Sequence, residues 1–304
     1  MGKTFYSNGK LLLSGEYAIL DGAVGLAIPT KFGQSLEKKD TSSGMLEWKS
    51  IDEKGATWFE ATYGFENLKE HSTSDKSISA TLKQLLAEVK VQNSNFLNAS
   101  SGLKIETKLS FPRNWGLGTS STLINNIAQW AQIDAYQLLW NAFGGSGYDI
   151  ACAQHDSPIL YQLIDKTPNV EKIPFDPSFK DSLFFVYLNQ KKSSKEAIAS
   201  YRNQNFDKKK LISKVSSITK KMVDTSTLIE FESLLREHEQ TISEVLDLPT
   251  IKTTHFSDYA GAVKSLGGWG GDFILVTGSK DDMNYFRTKG YNTIIPFAEM
   301  VLDR

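Results

Sequence analysis

Residues 102–132 most narrow what this chain can fold into. Leu103, Ile105, Thr107 and Leu109 alternate with Lys104, Glu106 and Lys108, which is the period of a half-buried strand. Residues 123–132 carry a helical pattern. Between them stands Asn114-Trp115-Gly116-Leu117-Gly118-Thr119-Ser120-Ser121-Thr122. A strand, a glycine turn and a helix in that order demand a mixed fold. Two glycines let the backbone turn several N–H groups toward one anion, and the following helix adds its unsatisfied first-turn donors and the positive end of its dipole. Hydroxyl side chains there can cap the helix, touch a phosphate oxygen or ligate magnesium. An ordinary capped strand–turn–helix has the same pattern, so the rest of the chain must decide.

With 304 residues there is room for two domains or one large one. A formal net charge of −1 gives no global basic field for nucleic acid or an anionic membrane. Cys152 is the only cysteine, so an intramolecular disulfide and a thiolate cluster are excluded; in the run Ile150-Ala151-Cys152-Ala153 it reads as a small buried residue. His71, His155, His238 and His255 are too dispersed to suggest a metal site. No apolar run reaches the roughly 18 residues of a membrane span, and the N-terminal residues lack a signal-peptide pattern. The expectation is a soluble, cytoplasmic protein.

In chain order, the first 65 residues read as mostly β. Asn8-Gly9 is expected to turn between two runs, and Pro29 to separate strands at 25–28 and 32–36. Residues 45–50 and 57–63 pair as a hairpin across 52–55. Ile78, Leu82, Leu85, Leu86 and Val89 share one helical face. Further helices are expected at 135–143 and from 148, after the break Gly144-Gly145-Ser146-Gly147. Residues 159–163 are strand-like. A loop-rich stretch with three prolines, 166–178, marks a soft domain boundary. Residues 183–188 form a buried central strand. Two or three helices fill 206–246 with a break at 224–227. Residues 258–266 read as helix, then 273–276 as strand, 281–289 as helix and 293–296 as strand. The class is α+β.

Phosphoryl transfer needs held phosphates, magnesium, a cation near the transferred group and a carboxylate near the attacking hydroxyl. The chain offers the 114–122 loop, Ser120, Lys10 and Asp149. Each has a plain alternative: Asp149 as a helix cap and Lys10 as a solvated lysine. The loop is neither a Walker A sequence, since Thr119 follows Gly118, nor a Rossmann fingerprint, since position 121 is serine.

Four stretches in this order resemble the GHMP kinases, the galactokinase, homoserine kinase, mevalonate kinase and phosphomevalonate kinase group. They are Gly9-Lys10-Leu11-Leu12-Leu13-Ser14-Gly15-Glu16, Gly116-Leu117-Gly118-Thr119-Ser120-Ser121, Ser146-Gly147-Tyr148-Asp149 and Gly267-Gly268-Trp269-Gly270-Gly271-Asp272. The resemblance implies an α+β fold of two domains. Residues 1–175 would be an ATP-binding domain resembling ribosomal protein S5, and 176–304 a ferredoxin-like domain. It implies ATP phosphates held by Asn114, Gly116, Leu117, Gly118, Thr119, Ser120 and Ser121, and Mg2+ at Ser120. Asp149 would be the catalytic base or orienting carboxylate, with Lys10 stabilising charge. Glu16, Tyr17, Lys191, Ser194, Gly267, Gly268, Gly270 and Gly271 would line the substrate cleft.

Tyr17 stands where mevalonate kinases usually have histidine, and Gly270-Gly271-Asp272 also leans toward phosphomevalonate kinases. Where many members carry a magnesium-binding glutamate, this chain has Leu138, with Asp134 the nearest carboxylate on the adjacent helix. Trp115 and Trp269 intrude into runs that are normally small. The resemblance thus implies an ATP- and Mg2+-dependent kinase for a small molecule, phosphomevalonate or mevalonate, with no nucleic-acid or membrane partner and with a homodimer allowed. Two alternatives remain: a diphosphomevalonate-decarboxylase-like enzyme and a catalytically degenerate nucleotide-binding relative.

Overall fold

The computed structural model describes residues 2–98, 101–191 and 194–303, the side chains of Ser194 and Lys195 excepted. The chain divides into two compact units, each assembled from separate pieces of sequence. The first comprises Met1–Gly9, Phe32–Arg113 and Leu117–Gln154; the second comprises Lys10–Lys31, Asn114–Gly116 and His155–Arg304.

Strands β1 (Lys3–Ser14) and β2 (Gly25–Thr41) contribute to both units. They are followed in the first unit by β3 (Leu46–Ile51), β4 (Thr57–Tyr63), β5 (Glu70–Thr73), α1 (Lys76–Gln92), β6 (Gly102–Leu109), α2 (Thr119–Ala131), α3 (Ala135–Ala142) and α4 (Tyr148–Gln154). The later part of β2, from Gln34 to Thr41, runs antiparallel to β6, which pairs in parallel with β3. The expected β3–β4 hairpin is present, with Trp48 opposite Ala61, and β5 adds an edge strand. Helix α1 starts at Asp75, whose carboxylate accepts the N–H groups of Ser77 and Ile78, a cap worth about 1 kcal/mol. Its apolar face, Leu82, Leu85, Leu86 and Val89, joins Ile124 and Ile127 of α2 against Trp48, Phe59 and Ile105 of the sheet.

The second unit holds the β7–β8 hairpin (Ile159–Ile164 and Thr167–Lys172), with β7 paired to Gly25–Ala27 of β2. Next come β9 (Leu183–Tyr187), α5 (Ser194–Arg202), α6 (Lys208–Asp224), α7 (Leu228–Leu246) and α8 (Ile251–His255). The chain then continues through β10 (Val263–Ser265), β11 (Phe273–Thr277), α9 (Asn284–Thr288), β12 (Ile294–Pro296) and α10 (Phe297–Met300). An antiparallel sheet in the order β10-β11-β9-β12 is buried through every residue of β9 and β11. The α6–α7 break falls at the expected position.

Four expectations are corrected. Asn8 and Gly9 make no turn but are extended within β1. Pro29 does not divide β2; its carbonyl accepts the Leu302 N–H (2.9 Å), and Thr30 bridges to Val301, so the strand continues past it. The proline-rich stretch after 166 contains β8. Pro168 is tolerated because β8 is an edge strand, paired on one side to β7, so the other side of its ladder needs no donor. Residues 258–266 are not helical: Val263–Ser265 are claimed by pairing to Val276–Ile274.

Candidate active site

The loop is shared between the units. Its first part belongs to the second unit. There the Asn114 carbonyl accepts from the Tyr187 hydroxyl (3.1 Å), and the Trp115 ring meets the Phe273 ring edge-on with centroids 5.6 Å apart. Gly116 has φ 69°, in the left-handed region, and its carbonyl accepts from Lys10 Nζ at 2.8 Å. The Asp272 carboxylate lies against the α-carbon of Gly116, where a side chain would stand. Trp115 is therefore no disturbance of the loop. It is the apolar anchor that fixes the loop's first residues to β9 and β11.

The second part belongs to the first unit. Leu117 is buried, and Gly118, at φ 95°, sets the start of α2 with no side-chain cap. The hydroxyls of Ser121 and Thr122 fold back on the Gly118 carbonyl (3.0 and 2.9 Å), and Thr122 also donates to Gln34 (2.7 Å). Ser120, by contrast, is exposed, and Thr119 is half-buried. The hydroxyls thus divide: two brace the turn and Ser120 faces outward beside the uncapped first-turn amides.

Asp149 lies in the first turn of α4, half-buried, after left-handed Gly144, Gly145 and Gly147. Helix α4 packs on α2, and Asn125 and Gln154 bond across the two helices (3.0 Å). Cys152 is fully buried in α4, as expected. Asp134 is occupied as the N-cap of α3, accepting from the Tyr136 N–H at 2.7 Å.

Of the remaining sequence-predicted residues of the second unit, Tyr17 reaches the 267–271 stretch, while Glu16 pairs elsewhere. Glu16 and Tyr17 both point into its interior. Tyr17, at φ 61° and ψ −50°, is a bulky residue in a sparsely populated backbone conformation, a strain of order 1–3 kcal/mol. Its ring stacks on Tyr201 (5.5 Å), and its hydroxyl accepts the Trp269 N–H (2.9 Å). Burial pushes the phenol up to about 12. Trp269 also donates its indole N–H to the Pro249 carbonyl (3.1 Å), so this intruding side chain tethers the glycine stretch. Gln190 donates to the Gly270 carbonyl (2.7 Å) and accepts the Asp272 N–H (3.1 Å). Lys191, next to it, is exposed; Lys192, Ser193 and the Ser194 side chain lie outside the described residues.

Sequence reading missed Lys264, His238 and Glu239, which surround Glu16. No local pattern marks them, because the Glu16–Lys264 contact spans 248 positions. Among the described residues no group of three or more His, Cys, Asp or Glu side chains could hold a metal ion, and no helix is long and apolar enough to cross a membrane. The hydroxyl of exposed Ser120 is the kind of oxygen donor a hard cation such as magnesium takes when phosphate and water complete its shell.

No protein-family model and no curated protein matches the chain by sequence. Solved structures match its fold. A mevalonate kinase aligns with a TM-score of 0.70 over 96% of this chain and 98% of its own, at 15% identity. Streptococcus pneumoniae phosphomevalonate kinase, solved with phosphomevalonate and AMPPNP, gives 0.69 over 96% and 99% at 12% identity. Lactococcus lactis galactokinase, complexed with galactose, gives 0.69 over 99% and 93% at 12% identity. Identities this low carry the fold and no more. With its four motifs falling in family order along that fold, this chain has the fold of the GHMP kinases.

Proposed function

We propose that the chain is an ATP- and magnesium-dependent small-molecule kinase with phosphomevalonate or mevalonate as acceptor, phosphomevalonate favoured. The observation that carries the reading is the loop. Two left-handed glycines, Gly116 and Gly118, lead into a 13-residue helix whose first turn has no side-chain cap, and Lys10 reaches the Gly116 carbonyl. Such a turn offers amides and dipole to a polyphosphate. The similar mevalonate and phosphomevalonate kinases and the AMPPNP in one of them support ATP and this acceptor class, while the galactokinase keeps sugars open as acceptors. The division into a 1–175 ATP-binding domain and a 176–304 domain is part of the proposal, as is action in the cytoplasm.

In this reading the loop amides orient the ATP phosphates and Lys10 neutralises charge developing on the transferred phosphoryl group. Asp149 orients the acceptor's attacking oxygen and receives its proton. Ser120 would hold magnesium together with ATP and water, and the metal would supply charge neutralisation on the phosphates. The test is ADP release over phosphomevalonate, mevalonate, diphosphomevalonate, homoserine and several sugars, with Asp149→Asn as control. Turnover with one of the first two, abolished in the variant, is expected. ATP binding without ADP release for any acceptor, carbon dioxide release, or full turnover by Asp149→Asn overturns the proposal.

A further inference from the structure

Four ionisable side chains of the second unit are sealed together: Glu16 is 4% exposed, His238 1%, Glu239 3% and Lys264 0%. Lys264 Nζ donates to Glu16 Oε1 (2.5 Å) and to the Ser265 carbonyl (2.9 Å). His238 Nε2 accepts the Gly15 N–H (2.9 Å), so that nitrogen carries no proton, the ring's proton sits on Nδ1, and the imidazole is neutral. Burial and the Lys264 charge both hold the ring well below the usual histidine range. One cation therefore faces two carboxyl groups. With both ionised, the interior would hold a net negative charge out of water, which is strongly unfavourable.

The hydrogen bonds show which carboxyl yields. Glu16 makes the short ion pair with Lys264. Glu239 instead meets Ser265 twice: its Oε1 lies 2.9 Å from the Ser265 hydroxyl and its Oε2 accepts the Ser265 N–H at 3.1 Å. A serine hydroxyl can donate or accept. A proton on Oε1 therefore reverses the direction of that bond and breaks nothing, whereas a proton on Glu16 would discharge the ion pair.

We propose that Glu239 is held as the neutral carboxylic acid, donating its O–H to Ser265, and that this proton pins α7 to β10 while leaving Glu16–Lys264 as a balanced ion pair. The groups acting on Glu239 are Lys264 and Ser265 of β10 and Glu16 and Tyr17 after β1, while His238, its neighbour on α7, faces Glu16. From α6 the buried side chains are uncharged, and Glu196 and Arg202 of α5 are exposed. Burial is the dominant influence and pushes the Glu239 carboxyl up to about 7, against the pull of Lys264. Because β10 leads into 267–271 and Glu16 neighbours Gly15, the proton steadies two of the motif segments at once. The sign follows: the folded chain binds this proton more tightly than the unfolded one, whose carboxyl titrates near about 4.3. The stabilisation is complete below that value, fades as pH rises, and is gone above about 7.

Glu239→Gln tests this directly. Its amide can donate to the Ser265 hydroxyl and accept the Ser265 N–H, yet cannot ionise. Melting from pH 5 to pH 8 should show the wild type losing ground to the variant, with the variant melting at least about 2 °C higher at pH 8. Infrared spectra of glutamate-labelled wild type should show a protonated-carboxyl band at pH 6 that fades through neutrality, and the variant should lack it. A constant offset between the melting curves, or no such band in the wild type, overturns the proposal. The infrared measurement needs no variant to fold. Neither readout is an enzyme assay, so the outcome is independent of whether the kinase reading stands.

Discussion

A side chain at Gly116 would run into the carboxylate of Asp272, and the φ of 69° disfavours any L-residue there. Gly144 has a similar φ of 78° but open space around it. Gly144→Ala should cost about 1–2 kcal/mol, the left-handed strain alone. Gly116→Ala should cost at least about 1 kcal/mol more, because Asp272 must also move. Chemical denaturation of the two variants separates strain from collision.

Lys264→Met strands Glu16 without its cation in a sealed interior. Loss of about 3–5 kcal/mol is expected, and Glu16→Leu added to it should recover much of that loss. A double-mutant cycle by urea unfolding measures the recovery; equal and additive losses would mean that the pair is not coupled.

Tyr17→Phe leaves the Trp269 N–H without its acceptor. The cost should be about 1–3 kcal/mol, the penalty for an unsatisfied donor. The same variant should remove the phenol that ionises near 12, visible as a lost alkaline absorbance step.

His238 sits folded with its pKa held well below the usual 6.5 by burial and by Lys264. A depressed base binds protons more readily unfolded than folded. Its stabilisation is therefore complete above about 6.5 and is lost as pH falls below it. NMR of ring-labelled protein should show one histidine resonance unmoved between pH 7.5 and 6, and it should vanish in His238→Gln.

Lys10→Met removes the donor to the Gly116 carbonyl and, on the proposed reading, the cation at the transferred phosphoryl group. The turnover number should fall about 100-fold, with a stability change of only about 1 kcal/mol. Steady-state kinetics beside a thermal melt distinguishes a chemical role from a structural one.

Much of the fold was legible where local physics decides. The α1 face, the β3–β4 hairpin, the buried strand at 183–188 and the α6–α7 break all follow from short-range period or turn chemistry. The errors fall where a distant partner overrides a local signal. Pro29 reads as a breaker until Leu302 and Val301 are seen beside it, and 263–265 reads as helix until β11 claims it. In the candidate site, the glycine loop was visible as a motif, but the use of Ser121 and Thr122 as internal braces was not, since it depends on rotamers. Glu16 was singled out for its motif; its partners lie more than 200 positions away and carry no signature of their own.

The interleaving of the two units has a consequence for synthesis on the ribosome. All pieces of the first unit are present once Gln154 has been made, so that unit can close early. The second unit has received Lys10–Lys31 by then but lacks almost everything that segment binds. Gly15, Glu16 and Tyr17 must wait for His238, Lys264 and Trp269 while more than 200 further residues are added. A nascent chain halted soon after Gln154 would thus present a finished first unit trailing an unsatisfied, aggregation-prone strand. A single cut after Gln154 would keep every piece of the first unit but deprive the second of Lys10–Lys31 and Asn114–Gly116.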